Sequence, residues 1–524
     1  MSKIIENLQL PLDQSIEDYL AWAQPDYSEF RVLKKSVDAR ARHNPHFVMT
    51  VEVAAQKEKL EKKTYTLDRL PTSPKVKPLI VGSGPAGLFA ALRFVERGIA
   101  CEIFERGSPS EIRMKGINKY WRYGELDPHN NVCFGEGGAG LYSDGKLITR
   151  IKSEHIPYVM NRLVQFGAPQ EIEYLSNPHV GSDRLRRVIP KMREYLKQNG
   201  CTFHFDTQVL DLIIKNKKVV GLTTNKNESF YSDHVLFATG HSAEDIFTMF
   251  EKNEVFMEAK SFAVGLRVEH PQAWVNQQQY KSAAGHPSLG SANYKLTHHD
   301  EKTGIGTYSF CMCPGGFVLS SSTEAEGLVC NGMSNFNRNS PWANSAVVVT
   351  VDAEKNFGSN LMGGMQFRKD LEIKALQQVL NNKGDKQLPA QSMGDFLKQK
   401  QGPVRKGSSP SGEVPSRVDQ IFSEQLFKKL SEGLEQFDKK MRGYIHPEAQ
   451  VYGVESRTSC PVRVTRDPLT YQSLSHPGLY PVGEGAGYAG GITSAACDGI
   501  RVADQIFSEL SSQVRVALPL ASEI

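Results

Sequence analysis

Residues 79–105 read LIVGSGPAGLFAALRFVERGIACEIFE. An apolar run enters a GxGxxG turn, a helix-like pattern follows, and a second apolar run closes on Glu105. Each part answers a need of a bound dinucleotide. Gly82 permits the tight turn, Gly84 lets the backbone approach a pyrophosphate without a Cβ, and Gly87 allows the helix to pack closely on the strand. Pro85 and Ala86 open the helix. Its free N–H groups and a dipole equivalent to about half a positive charge favour a diphosphate. Glu105 stands where adenosine ribose hydroxyls would donate to it, and Arg106 adjoins it.

The 524 residues are too many for one simple core, so two or three domains are expected. With 62 Lys plus Arg against 58 Asp plus Glu, the net charge of +4 makes no case for nucleic acid or an anionic membrane. The first residues, MSKIIENLQLPLDQ, carry acids and lack the apolar core of a secretory signal, and no stretch approaches a membrane span. The reading is a cytoplasmic protein with no membrane partner. The 8 cysteines are scattered without CxxC, which fits reduced thiols and argues against a cysteine-pair electron relay. The 14 histidines show no HExxH, so no metal site is expected.

The chain is expected to be α/β and to divide at proline-rich LPTSPKVKP, where Pro71, Pro74 and Pro78 mark a linker. Residues 1–75 read as a small N-terminal α+β domain, with SIEDYLAWA a helix capped by Ser15 and FVMTVEVA a strand. Its cations Lys34, Lys35, Arg40 and Arg42 read as a solvated face. Residues 76–258 form the first part of a Rossmann-like domain with a parallel sheet and a β-meander, and residues 449–524 complete it. Between them, residues 259–448 read as an inserted, mainly β (α+β) substrate domain with a helical stretch near 417–442. The Gly, Pro and Ser of QGPVRKGSSPSGEVPS at 401–416 suggest a mobile surface loop, with a lid as the alternative.

Two later segments choose between NAD and FAD. VLFATG places Thr239 and Gly240 at the end of a parallel strand, where small residues let the chain pass close to a ligand. LYPVGEGAGYAGGITSAACDGI at 479–500 is another strand, glycine loop and helix: Gly483 and Glu484 end the strand, and the helix begins near Gly491 and Ile492. Together with the opening motif, these segments resemble the FAD-binding domain of the glutathione-reductase-type flavoproteins. The resemblance implies that Glu484, in place of the usual aspartate, binds the flavin ribitol. It also implies that the Val209 backbone meets the adenine and that the late helix faces the pyrophosphate and ring. A narrower resemblance, through FGEGGAGLYSDGKL, FAVGLRVEHP, YSFCMCPGG and ESRTSCPVR, is to a bacterial and plastid family of FAD-dependent dehydrogenases that mostly carry no assigned substrate. GEGGAG at 135–140 also fits GxGxxG, but LYSDG follows instead of a helix. By similarity to related flavoproteins, Gly137 and Gly138 are expected beside the isoalloxazine. FAD is therefore the expected cofactor. No complete second nucleotide unit is visible, which leaves NAD(P)H as a candidate transient electron donor.

A flavin carries redox chemistry itself, so the protein needs an anchor and a proton donor or acceptor, not a nucleophile. Lys146 is a candidate for the flavin pyrimidine side. Glu455 and Arg457 are candidates to face the ring, with a structural ion pair as the alternative. Strand alternation would put Cys311 and Cys313 on one side, read as buried core residues. Tyr308 and His270 are further proton-donor candidates, while His298 and His299 read as lying in a polar loop. The leading expectation is an FAD-dependent oxidoreductase transferring a hydride between flavin and a small organic substrate. The alternatives are a flavoprotein modifying structured RNA through the basic N-terminal cluster and the loop bearing Lys398, Lys400, Arg405 and Lys406, and an interaction protein with structural FAD.

Overall fold

Short runs buried on both faces, here LIV at 79–81, VLF at 235–237 and LYP at 479–481, are the parts from which the interior of a helix-covered parallel sheet is made. In the computed structural model, which describes residues 2–40, 45–55, 58–61, 64–70 and 74–517, Leu79–Val81, Glu102–Phe104, Thr202–His204, Val235–Phe237 and Leu479–Pro481 form such a sheet. Arg42 and Pro71 lie outside the described residues. Leu79–Val81 is central; the chain steps from it to 102 and 202 on one side, then to 235 and 479 on the other. Strand order reverses between the strands at 79 and 235. At such a switch point, loops leaving the carboxyl ends diverge and open a crevice.

Glycine sets how closely the covering helices approach. Pro85–Glu96 follows the first strand, and a Cβ added to Gly87 would lie 2.0 Å from the Gly82 carbonyl oxygen. The final helix, Ile492–Ala517, packs on Pro85–Glu96, where a Cβ at Gly499 would lie 2.1 Å from the Ala86 carbonyl oxygen. Arg93 and Arg97 share Asp504 across that helix pair at 2.7 Å each. An antiparallel meander of Val209–Lys215, Lys218–Thr224 and Ser229–Tyr231 precedes the strand at 235.

The segment between the two parts of this sheet builds a seven-stranded sheet around Phe262–Pro271 and Trp342–Val351. Gln450–Glu455, Leu388–Ser392 and Glu413–Pro415 extend one side; Ile305–Cys313 and Thr297–Asp300 extend the other. Pairing is antiparallel except between Leu388–Ser392 and Glu413–Pro415. Helices Gly363–Asn381 and Glu424–Lys440 pack their apolar residues into the same core. Where the chain enters and leaves this sheet, Met257–Ala259 and Val462–Val464 pair side by side.

The expected mobile loop at 401–416 is pinned instead. Arg405 reaches buried Glu269 at 3.0 Å, Ser408 Oγ also donates to Glu269, and residues 413–415 join the sheet. The composition of the segment suggested mobility, but its partner lies far upstream. His298 and His299 stand on a strand rather than in a loop. The N-terminal unit pairs Lys3–Pro11, His46–Ala55 and Tyr27–Asp38 around its own small core, with helix Ile16–Ala23 capped by Ser15. It joins the rest of the chain through the Lys35 N–H to the Tyr174 carbonyl, at 2.8 Å.

Candidate functional site

A cavity of about 1210 Å³ extends from the switch point to the inserted sheet. It exceeds the roughly 300–1,000 Å³ typical of small-molecule pockets, so it has room for an extended ligand. Gly82, Gly84, Pro85, Ala86, Glu105, Arg106, Gly138, Val209, Thr239, Gly240, Glu484, Gly491 and Ile492 line it, as do Lys146, Glu455 and Arg457. Gly87, Gly137 and Gly483 do not line it; they shape the wall from behind. Gly87 is sealed against Gly82, the Gly137 N–H donates to the Ser83 carbonyl at 3.0 Å, and the Gly483 N–H donates to Asp498 Oδ2 at 2.8 Å. Gly82 makes its turn at φ +101°, with the position of a Cβ only 2.4 Å from the Ala238 carbonyl oxygen. Both the conformation and the space require glycine there.

The acids on the nucleotide side behave differently. Glu105 is fully engaged: Oε2 accepts from the Ser83 N–H and hydroxyl at 3.0 and 2.7 Å, and Oε1 from the Gly107 and Gly135 N–H groups at 3.1 and 3.0 Å. A carboxylate offers about four acceptor positions, so Glu105 ties the two glycine turns together instead of standing free for a ribose. Glu484 makes no side-chain hydrogen bond among the described residues and has His241 Nε2 4.0 Å away. Burial pushes its carboxyl up to about 7, with nearby Lys260 opposing. Burial, reinforced by Arg368 and Arg457, pushes His241 down to about 3, which keeps that imidazole neutral. Sequence reasoning passed over His241, although it directly follows Gly240.

Arg113 was also missed. Fully buried on helix Ser110–Tyr123, it donates to the carbonyls of Asn131, Val132, Gly135, Glu136 and Gly138 at 2.8–3.2 Å. It thereby holds the glycine-rich loop in shape. That loop does continue into a short 3-10 turn, Ala139–Tyr142, but not into an α-helix.

On the inserted side, Glu455 and Arg457 do not pair with each other. Glu455 takes buried Arg267 at 2.9 Å, and Arg457 takes Glu372 at 2.7 Å. Burial pushes the Glu455 carboxyl up while Arg267 pulls it down. Lys146 Nζ donates to the Met312 carbonyl, tying the first glycine loop to the inserted sheet. Tyr308 lines the cavity, whereas His270 is buried away from it against the Tyr444 carbonyl at 2.7 Å. Cys311 and Cys313 both line the cavity, but the ladder shifts register between Phe310 and Cys313, and Cys311 is exposed rather than a buried core residue while Cys313 is buried. Among the described residues no group of three or more His, Cys, Asp or Glu is placed to hold a metal ion. Of the cations raised for RNA, Arg405 is spent on Glu269 and stacks over Trp342, and Lys400 lies 3.4 Å from Asp395.

A parallel sheet with a switch-point crevice, two helix N-termini on its wall and an inserted sheet facing them across one continuous cavity have the build of a dinucleotide-binding fold. The comparisons refine this class. A family described as "FAD-dependent protein, C-terminal domain-like" matches residues 261–458, and a domain of unknown function matches residues 1–54. An uncharacterized protein of Clostridium beijerinckii is 38% identical over 535 residues, covering 96% of this chain and 98% of its own. The chain belongs to the family of that clostridial protein. Among solved structures, a flavin-dependent brominase is 12% identical, covering 84% of this chain and 80% of that one, with a TM-score of 0.37. L-proline dehydrogenase from P. horikoshii is 11% identical, covering 84% and 95%, with a TM-score of 0.34. Likeness at these scores carries no inference to this chain. No helix among the described residues is long and apolar enough to cross a membrane.

Proposed function

We propose that the chain is an FAD-dependent oxidoreductase acting on a small organic molecule, with the cofactor lying along the crevice. The observation that carries this reading is the bare wall of the cavity. A Cβ added at Gly240 or Gly490 would meet no atom within 4 Å, and both residues line the space beside the two helix N-termini. Backbone kept clear at a helix N-terminus suits a diphosphate. Glu484, free of side-chain hydrogen bonds, suits a polyhydroxyl chain. Glu105 shapes the pocket without being available to the ribose. The family description of residues 261–458 supports the same cofactor.

When bound, FAD supplies hydride chemistry, and the protein's task is orientation, electrostatics and exclusion of water. Lys146, without a carboxylate partner among the described residues, places positive charge on the cavity wall, while the charge of Arg457 is balanced by Glu372. Glu455, held between burial and Arg267, is the group suited to hold or move a proton there. NAD(P)H, which the sequence leaves as a candidate transient donor, is the first reductant to test.

Anaerobic mixing of FAD-loaded protein with NADH, NADPH and then metabolite pools tests this function. Bleaching of the oxidised flavin band by one substrate class is the expected result. A fully loaded protein that no reductant bleaches would leave FAD structural and favour an interaction protein.

A further inference from the structure

We propose that the inserted-domain side of the crevice binds an organic anion with a planar apolar body, its carboxylate or phosphate held between Arg150 and Lys295. This deepens the oxidoreductase reading by naming a substrate class.

Charge supports it first. The acids on this part of the wall, Asp144 and Glu455, are each neutralised by an arginine, Arg338 and Arg267. Lys146, Arg150 and Lys295 line the same part, and none has a carboxylate partner among the described residues. Lys146 gives its ammonium to the Met312 carbonyl, which leaves Arg150 and Lys295 open. Unpaired charges of one sign in a concave, partly desolvated cleft concentrate the opposite charge.

Strand register brings Lys295 to a pair of aromatic rings on the cavity that Arg150 also lines. Tyr308 and Phe310 alternate along Ile305–Cys313 and so share a face. Arg150 lines the same cavity as these two rings. The neighbouring strand pairs Thr297 with Tyr308, and the register continues outward through the Ser309 N–H to the Leu296 carbonyl at 2.8 Å. Lys295 therefore comes opposite Phe310. Two half-buried aromatic rings, with unpaired Lys295 opposite one of them and unpaired Arg150 on the same cavity, match a planar body carrying an anionic head.

Calorimetric titration of the purified full-length protein tests this, using phenylacetate, phenyl phosphate and the neutral control phenylacetamide. FAD content is measured separately. Calorimetry reads binding whether or not flavin is present, so loss of the cofactor reading and loss of this one are distinguishable. One anion, or both, should bind, with the amide about tenfold weaker or worse, since a charge-assisted bond is lost. The stronger anion identifies the head group. Arg150→Gln with Lys295→Gln should weaken that anion by about tenfold or more while melting temperature and FAD content stay unchanged. Absence of binding by either anion, equal binding of the amide, or full affinity in the double variant would overturn the proposal.

Discussion

Replacing Arg267 by methionine keeps an apolar stem but leaves Glu455 as an unpaired carboxylate in the core. Arg267 is fully buried and Glu455 nearly so, with Nε 2.9 Å from the carboxylate. Asn344 loses its donor as well, since Arg267 Nη1 donates to its Oδ1 at 2.7 Å. Breaking one side of such a pair costs about 3–5 kcal/mol, and adding Glu455→Gln should recover much of it because no bare charge remains. The pH dependence gives a second check. Burial already holds the folded Glu455 carboxyl above its ordinary 4.5, and Arg267 is what pulls it down. Without Arg267 the folded carboxyl rises further and stays protonated over a wider range. An acid that binds its proton more tightly when folded carries no penalty at low pH and loses stability as pH rises through the window. The Arg267→Met loss should therefore be smaller at about pH 5 than at about pH 8. Urea unfolding followed by tryptophan fluorescence, to which Trp274 and Trp342 of the inserted domain contribute two of the four emitters, reads it. A loss below about 1 kcal/mol, or one that grows as pH falls, would refute the reasoning.

Gly87→Ala puts a Cβ 2.0 Å from the backbone oxygen of Gly82, so the strand and helix must separate; a lower melting temperature and loss of flavin are expected, by more than the usual 1–3 kcal/mol of mild overpacking. In the apoprotein, Glu484 is raised from 4.5 to about 7, so it contributes up to about 3 kcal/mol of stability that is lost as pH rises through that window, read as the difference in pH slope between wild type and Glu484→Gln. Equal slopes in the two proteins would contradict the burial of that carboxyl. Asp504→Asn leaves Arg93 and Arg97 without their shared carboxylate and should cost about 2 kcal/mol in thermal or chemical unfolding.

Features encoded within a few residues were legible. The strand, GxGxxG turn, helix and acid at 79–105 are all local, and the helix, the turn and the position of Glu105 on the cavity can be read from them. The partners of Glu105 could not, because one of its donors, Gly135, arrives from a later loop. Arg113 was illegible for the same reason: nothing around it in sequence says that its guanidinium will meet five carbonyls of the glycine-rich segment. Composition misled at 401–416, where long-range bonds to Glu269 override the flexibility suggested by Gly, Pro and Ser. The reading of Cys311 as a buried core residue failed where a register shift interrupts the ladder and leaves it exposed.

The most direct test of the crevice as an FAD site is the amount of FAD released on denaturing purified full-length protein, before and after incubation with FAD and removal of the excess. Bound FAD approaching one equivalent per chain is the predicted result, with a marked fall when Gly84→Val fills the approach to the first helix N-terminus. Negligible FAD in both preparations, or full occupancy in the Gly84→Val protein, would contradict it.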